Sequence, residues 1–189
     1  MSLLGLFVWK EQTQMKKKKD KMEEKLYEAC SDGKVEEVRR LLQNSQININ
    51  WQNQNDYPYG TPFYVACYKG HIEIVKLLLN DSRVDFNQAN EYGDTPLYVA
   101  CLNEHTEIVK LLLNDKRVDI NKSSNGRTPF YITCEKGKIE IVKLLLNDNR
   151  VDINKAEEDG WTPFYVACHE GHIEIVKLLL NDERVDINK

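Results

Sequence analysis

The chain has 189 residues, of which 41% are hydrophobic and 30% are charged, with a formal net charge of -4. This composition is typical of a soluble globular protein of one or two domains. The acidic balance argues against a general nucleic-acid binder, because neutralising phosphates requires a basic face.

The N-terminal arm, residues 1–25, carries seven lysines against four acidic residues. Its apolar segment from Leu3 to Trp9 is far shorter than the roughly 20 residues that span a bilayer. That segment precedes the lysines at 16–19, whereas a secretory signal has its basic residues first. We therefore expect a cytoplasmic chain whose arm is disordered or forms a helix that continues into the body. The alternative is that the arm attaches to a membrane surface, because it has an apolar segment beside a lysine cluster.

The rest of the chain repeats one sequence unit. A seven-residue block that begins with Thr-Pro at Thr61 returns at Thr95, Thr128 and Thr162, at spacings of 34, 33 and 34 residues. A second block, Ile-Glu-Ile-Val-Lys-Leu-Leu-Leu from Ile72, returns with it in slightly varied form. A degenerate copy upstream lacks the Thr-Pro start. The units are residues 26–60, 61–94, 95–127, 128–161 and 162–189.

Each full unit predicts two short helices. Thr61 suits the N-cap of the first helix, because its hydroxyl can accept an orphan backbone N–H, and Pro62 suits the first helical turn. Gly70 can adopt the positive φ that ends this helix. The second helix, from about Ile72 to Asn80, is apolar nearly all round, so it requires packing on both sides. Stacked units supply that packing, which predicts an all-α solenoid.

The motif Thr-Pro-Phe/Leu-Tyr-x-Ala, followed by Gly-His-Ile-Glu-Ile-Val-Lys-Leu-Leu-Leu and Val-Asp-Ile-Asn, resembles the ankyrin repeat over about residues 26–189. The resemblance implies stacked helix–turn–helix units with short β-turn fingers and a concave face that binds proteins. Tyr64 and Cys67, with their counterparts, stand where the family has His and Ala. We interpret the chain as a non-catalytic adaptor or scaffold. The alternatives are a membrane-tethered adaptor, or the recognition part of a longer protein whose catalytic domain is not in this sequence.

The two ends of the repeated region differ in polarity. In the first unit Glu37 and Arg40 replace Ile74 and Leu77, as a terminal capping repeat requires. The last unit keeps the interior pattern from Ile173 to Leu180. Three interpretations stay open: the C-terminal face exposes apolar surface, the chain is a fragment of a longer array, or the last repeat self-associates.

The sequence predicts no catalytic, cofactor-binding or metal-binding residues. The five cysteines share one repeat position, and neighbouring stacked helices lie too far apart for disulfides, so we interpret the cysteines as small buried residues. The repeated histidines are interrupted by Lys138, which favours a structural role. The cluster of Cys168, His169 and His172 lacks a fourth ligand, so zinc is disfavoured. No phosphate loop or hydrolase motif is present in the sequence.

Repeat proteins keep their framework and vary the positions that meet partners. Here the variable positions cluster at the finger tips and the ends of the first helices, which correspond to the concave face of the ankyrin family. The aromatic residues and Arg127 among them are types that dominate interface energetics. The competing interpretation is that loop tips vary because nothing constrains them. The predicted partner-binding residues are Tyr59, Tyr68, Lys69, Glu91, Tyr92, Asp94, Leu102, Asn103, Arg127, Glu135, Lys136, Asp159, Trp161 and His169.

One unit departs from the pattern inside the array. Glu104 stands where the other units have Gly after the first helix, and Thr106 replaces Ile. A non-Gly residue in the left-handed region costs about 1 kcal/mol. We therefore predict that the unit of residues 95–127 is locally the least stable, and that Glu104→Gly raises the melting temperature.

Overall fold

The computed structural model describes residues 21–54 and 58–188. Over these residues the chain forms ten helices and no sheet, which confirms the predicted all-α architecture. No helix in this part is long and apolar enough to span a bilayer. The helices are α1 over residues 21–31, α2 Val35–Leu42, α3 Pro62–Lys69, α4 Ile72–Leu79, α5 Pro96–Leu102, α6 Thr106–Asn114, α7 Pro129–Glu135, α8 Ile139–Leu146, α9 Pro163–His169 and α10 Ile173–Leu180.

The repeated Thr-Pro pair starts the first helix of each full unit. In α3 the Thr61 hydroxyl accepts a hydrogen bond from the backbone N of Tyr64 at 3.1 Å, with Pro62 in the first turn. Gly70, at φ 80°, ends the same helix. These local signals set the boundaries that the sequence predicted. The same side-chain cap occurs at Thr95, Thr128 and Thr162.

The helices stack in two layers. The first helices α3, α5, α7 and α9 pack side by side, and the second helices α4, α6, α8 and α10 form the other layer. The helices α4, α6 and α8 each bury the same three positions, which are Ile74, Val75 and Leu78 in α4, and α10 buries two of them. These side chains form one continuous core with the Phe, Val and Cys positions of the first helices. The core therefore runs along the stack, so every interior unit depends on both of its neighbours.

An asparagine in each unit holds the loop of the next unit. The Asn121 side-chain amide donates from Nδ2 to the carbonyl of Arg150 at 2.7 Å, and its Oδ1 accepts from the backbone N of Asp152 at 2.8 Å. Arg150 in turn donates to the carbonyl of Leu113 in the previous unit. These bonds join polar loop backbones that packing alone would leave unpaired. The asparagines with the same pair of bonds are Asn50, Asn87 and Asn154.

The N-terminal end of the stack is polar. Helix α1 includes residues 21–25 of the arm, and the buried Glu23 carboxylate accepts a hydrogen bond from the backbone N of Asn48 at 3.0 Å. Glu37 and Arg40 pair with each other at 2.5 Å in place of the apolar residues of later units. The lysine cluster and apolar segment of the arm fall in residues 1–20, outside the described residues.

The C-terminal face of the stack exposes apolar side chains. Ile173, Leu180 and Ile187 are 65%, 56% and 54% exposed, because no further unit covers them in the described structure. The prediction that all five cysteines are buried is wrong for Cys168, which is exposed for the same reason. The other four are buried and all five are unpaired thiols.

Candidate interaction surface

The fingers and the ends of the first helices lie together on one side of the stack. The Trp161 ring of a finger lies 5.3 Å from the His169 ring at the end of α9. Arg127 of the preceding finger lies 3.5 Å from Glu135 at the end of α7. These two fingers therefore contact the helix end that lies eight residues later. We call this side, made of the fingers and the ends of α3, α5, α7 and α9, the finger surface.

Tyrosines from two fingers meet at the N-terminal part of the finger surface. The Tyr59 and Tyr92 rings are 5.9 Å apart in an edge-on arrangement, and Tyr92 is 53% exposed. A hydrogen bond with the Glu91 carboxylate raises the pKa of the Tyr92 hydroxyl. Nearby, Tyr68 stacks on a framework tyrosine and the Lys69 ammonium lies 5.5 Å from the Tyr68 ring centre. The structure thus brings Tyr59 and Tyr92 together, whereas Tyr68 contacts the framework Tyr64 and the predicted Lys69.

A second aromatic group covers the C-terminal part of the finger surface. Trp161, 40% exposed, lies 5.0 Å from the Tyr165 ring, and Tyr165 lies 6.2 Å from His169. His169 Nδ1 is 3.0 Å from a Glu170 carboxylate oxygen. Tyr165 is not among the predicted binding residues, because its counterparts in earlier units are framework residues. It is 46% exposed because no further finger covers it in the described structure.

The middle of the finger surface is charged. Glu135 is largely buried and lies 3.5 Å from Arg127 and 3.4 Å from Lys136. Asn103 donates to the carbonyl of Val99 in its own helix, so its amide is directed back to the helix. Leu102 packs against the core. Of the residues predicted here, the charged group forms a cluster, whereas Leu102 and Asn103 join no other predicted residue.

A groove crosses the finger surface between the two aromatic groups. It contains four of the predicted residues and five that the sequence analysis did not include in the predicted set. The spacing of 33 residues between Thr95 and Thr128 was the one sequence signal that could have indicated it. The lining residues are Tyr92, Asp94, Tyr98, Ser124, Asn125, Arg127, Glu157, Glu158 and Asp159.

The framework tyrosines lie beneath the fingers. The Tyr27 hydroxyl donates to the carbonyl of Pro58, and the Tyr64 hydroxyl accepts from Asn90 Nδ2 at 2.9 Å, so each reaches the finger at the end of its own unit. Burial raises the pKa of Tyr98 to about 12, with the negative charge of Asp94 adding to the shift. Tyr98 is therefore a neutral hydroxyl at ordinary pH.

The repeated histidines have structural positions. His71 Nε2 lies 3.0 Å from the carbonyl of Ser31, and His105 and His172 make the same contact at 2.9 Å with the previous unit. Burial raises the pKa of the Cys30, Cys67, Cys101 and Cys134 thiols well above the ordinary range, which disfavours the nucleophilic thiolate. Within the described part of the chain, no three His, Cys, Asp or Glu side chains are placed to share a metal ion.

Comparison with known families agrees with this architecture. The family model described as ankyrin repeats, in three copies, matches residues 6–86, 26–124 and 116–189. No curated protein matches the chain. The matched segments together cover nearly the whole sequence, in agreement with the stacked helix pairs and the fingers between them. The chain therefore belongs to the ankyrin repeat family, whose repeats generally act as protein–protein interaction modules.

Proposed function

We propose that this chain is a non-catalytic adaptor or scaffold that binds a protein partner through its finger surface. The observation that carries the proposal is the pair of exposed aromatic groups on that surface, with Tyr92 and Trp161 at 53% and 40% exposure. Large aromatic side chains at the centre of an interface supply much of its binding energy. A partner that buries them removes apolar area from water.

Ring contacts support the proposal, because they restrain the aromatic side chains before a partner arrives. Tyr92 is held by Tyr59, and Trp161 is held between Tyr165 and His169. Side chains that are already ordered lose less conformational entropy on binding, so more of the contact energy appears as affinity. The charged residues between the two groups would orient the partner by hydrogen bonds and ion pairs.

The five unpaired cysteines support action in a reducing compartment, and we propose the cytoplasm. Four of these thiols are enclosed between stacked helices, where no bridge connects them. This proposal is tested by fractionating cells that express the tagged chain and locating the tag by immunoblotting. Recovery in the secreted or membrane fraction would contradict it.

The function is tested by comparing what the purified full-length chain and a Tyr92→Ala/Trp161→Ala variant retain from an extract of the native cells. The matched control is Leu180→Ala/Ile187→Ala, which removes exposed apolar area from a different face. We expect at least one partner, identified by mass spectrometry, to be retained by the wild-type chain and the control and lost by the finger-surface variant. Circular dichroism would check that all three chains melt alike. Equal retention by the finger-surface variant would overturn the proposal.

A further inference from the structure

The groove on the finger surface exists because one finger is shorter than its neighbours. In the short finger, Ser124 and Arg127 form an antiparallel pair around Asn125 and Gly126, both at positive φ. This is a two-residue turn of the tight hairpin type. The fingers on either side close around three residues, through Asn90 with Asp94 and Glu157 with Trp161. The short finger thus leaves a groove with Tyr92 among its lining residues on one side and Glu158 and Asp159 on the other.

A hydroxyl without a hydrogen-bond partner among the described residues lies in the groove. Tyr98 is only 7% exposed and lines the groove, and its hydroxyl makes no hydrogen bond to any described residue. The Tyr131 hydroxyl also makes no hydrogen bond to a described residue, whereas the corresponding hydroxyls of Tyr27 and Tyr64 are hydrogen-bonded. Ser124 of the short finger instead donates its hydroxyl to the carbonyl of Tyr92. An unpaired hydroxyl at the end of an otherwise enclosed side chain is available to a ligand that enters the groove.

The groove also presents unpaired negative charge. The carboxylates of Asp94, Glu158 and Asp159 form no ion pair or hydrogen bond with the residues that the structure describes. Arg127 is the one basic residue among those lining the groove, and its guanidinium lies over the Tyr131 ring and near Glu135. Three carboxylates without ion pairs, on the same groove lining as the Tyr98 hydroxyl, favour a cation and repel phosphate.

The geometry points to a site for a lysine or arginine side chain on an extended basic segment of the protein partner, an inference that rests on the proposed function. The ammonium or guanidinium group would donate hydrogen bonds to the three carboxylates and to the Tyr98 oxygen. The exposed Tyr92 ring adds a face on which a cation can lie. Charge-assisted hydrogen bonds of this kind are stronger than neutral ones, so the groove would select basic residues over apolar ones.

The test uses fluorescence anisotropy with fluorescein-labelled hexaarginine, hexalysine and hexaglutamate peptides and the purified full-length chain. The groove variant is Asp94→Asn/Glu158→Gln/Asp159→Asn. The matched control, Glu73→Gln/Glu107→Gln/Glu140→Gln, changes the net charge equally but on the second helices. We expect the basic peptides to bind the wild-type chain and the control, and to bind the groove variant about tenfold more weakly.

Two single variants separate the site from a diffuse charge effect. Tyr98→Phe removes only the unpaired hydroxyl, so we expect a several-fold loss of peptide affinity at an unchanged melting temperature. Arg127→Gln removes the competing cation, so we expect a several-fold gain in affinity. In NMR spectra of the chain titrated with hexaarginine, the Tyr92 and Tyr98 ring signals should shift.

Each opposite outcome overturns the inference. Equal weakening in the groove variant and its control would mean that only the overall charge attracts the peptides. Binding of hexaglutamate, or no binding of either basic peptide, would mean that the groove does not take a cation. None of these results would change the outcome of the retention experiment with the Tyr92 and Trp161 variant. Failure of this inference is therefore distinguishable from failure of the proposed function.

Discussion

The Lys138 ammonium lies 2.7 Å from a carboxylate oxygen of Glu104, and both residues depart from the repeat at the same junction. At the other junctions a histidine ring lies over a glycine of the previous unit. A Cβ at Gly70, for example, would lie 2.7 Å from the His105 ring, which is closer than real contacts. The side chain of Glu104 would therefore clash with a histidine at position 138. The lysine that occupies this position instead avoids the clash. The glycine–histidine pairs are Gly33 with His71, Gly70 with His105 and Gly137 with His172.

We therefore predict that substitutions at Glu104 and Lys138 have strongly coupled effects on the free energy of unfolding. Glu104 has φ 60°, so its predicted left-handed conformation is confirmed. Glu104→Gly should raise the stability by about 1 kcal/mol from relief of strain, less the small contribution of an exposed ion pair. Lys138→His alone should destabilise the chain, because its ring meets the Glu104 side chain. The double variant should be the most stable, since it restores the interior arrangement. Urea unfolding of the four chains measures this coupling, and additive effects would contradict the prediction.

Asn121→Ala should destabilise the stack by roughly 1–2 kcal/mol, because it removes two hydrogen bonds between neighbouring loops. The matched control is Asn188→Ala, at the corresponding position of the last unit, where the side chain holds no loop within the described residues. We expect the control to change the urea midpoint very little. Similar losses in both variants would show that the asparagine acts within its own unit and not between units.

Stability should fall in acid through four repeated aspartates. Hydrogen bonds from the arginine two residues later lower the pKa of Asp81, Asp115, Asp148 and Asp182 in the folded chain. A lowered folded pKa means that the stabilisation is complete above the unfolded value of about 4 and is lost as the pH falls through the folded value. We expect the free energy of unfolding to be constant near pH 6 and to drop below about pH 4. Replacing the four aspartates with asparagine should flatten this dependence.

Cys168 should be the one thiol that reacts in the native chain. It is exposed, whereas Cys30, Cys67, Cys101 and Cys134 are buried and burial raises their thiol pKa. Brief treatment with a thiol-specific reagent should therefore add one label by mass spectrometry, and five labels in denaturant. Cys168→Ser should abolish the native reaction. More than one rapid native label would mean that the stack opens readily between units.

The exposed apolar face at the end of the stack should promote self-association. Ile173, Leu180 and Ile187 are large, exposed hydrophobic residues of the last unit. We expect light scattering after size exclusion to show a mass that rises with concentration, and Ile173→Glu/Leu180→Glu to keep the chain monomeric. Glu73→Lys is a control on an already charged surface. A monomer at every concentration would show that water tolerates this face.

Much of the fold could be predicted from the sequence, because its signals lie within one repeat unit. The period of the Thr-Pro blocks, the cap at Thr61 and the glycine at 70 depend on residues within one unit, so the helix boundaries could be predicted. Comparison with the glycine of the other units predicted the strained backbone of Glu104. The open apolar face at the last unit followed from its unchanged interior pattern. Among the proposed binding residues, the sequence identified which positions vary and which are aromatic.

The remaining features depend on how one unit stacks on the next. Glu104 and Lys138 are 34 residues apart, and their ion pair depends on the register of two helix pairs. Cys168 carries the same local sequence as its buried counterparts but has no covering neighbour in the described structure. Tyr98 differs from Tyr64 through the finger above it, which is one residue shorter and has Ser124 in place of Asn90. The sequence by itself determined the repeated unit, because its signals are local, whereas pairing, exposure and the groove arise between units and required the tertiary structure.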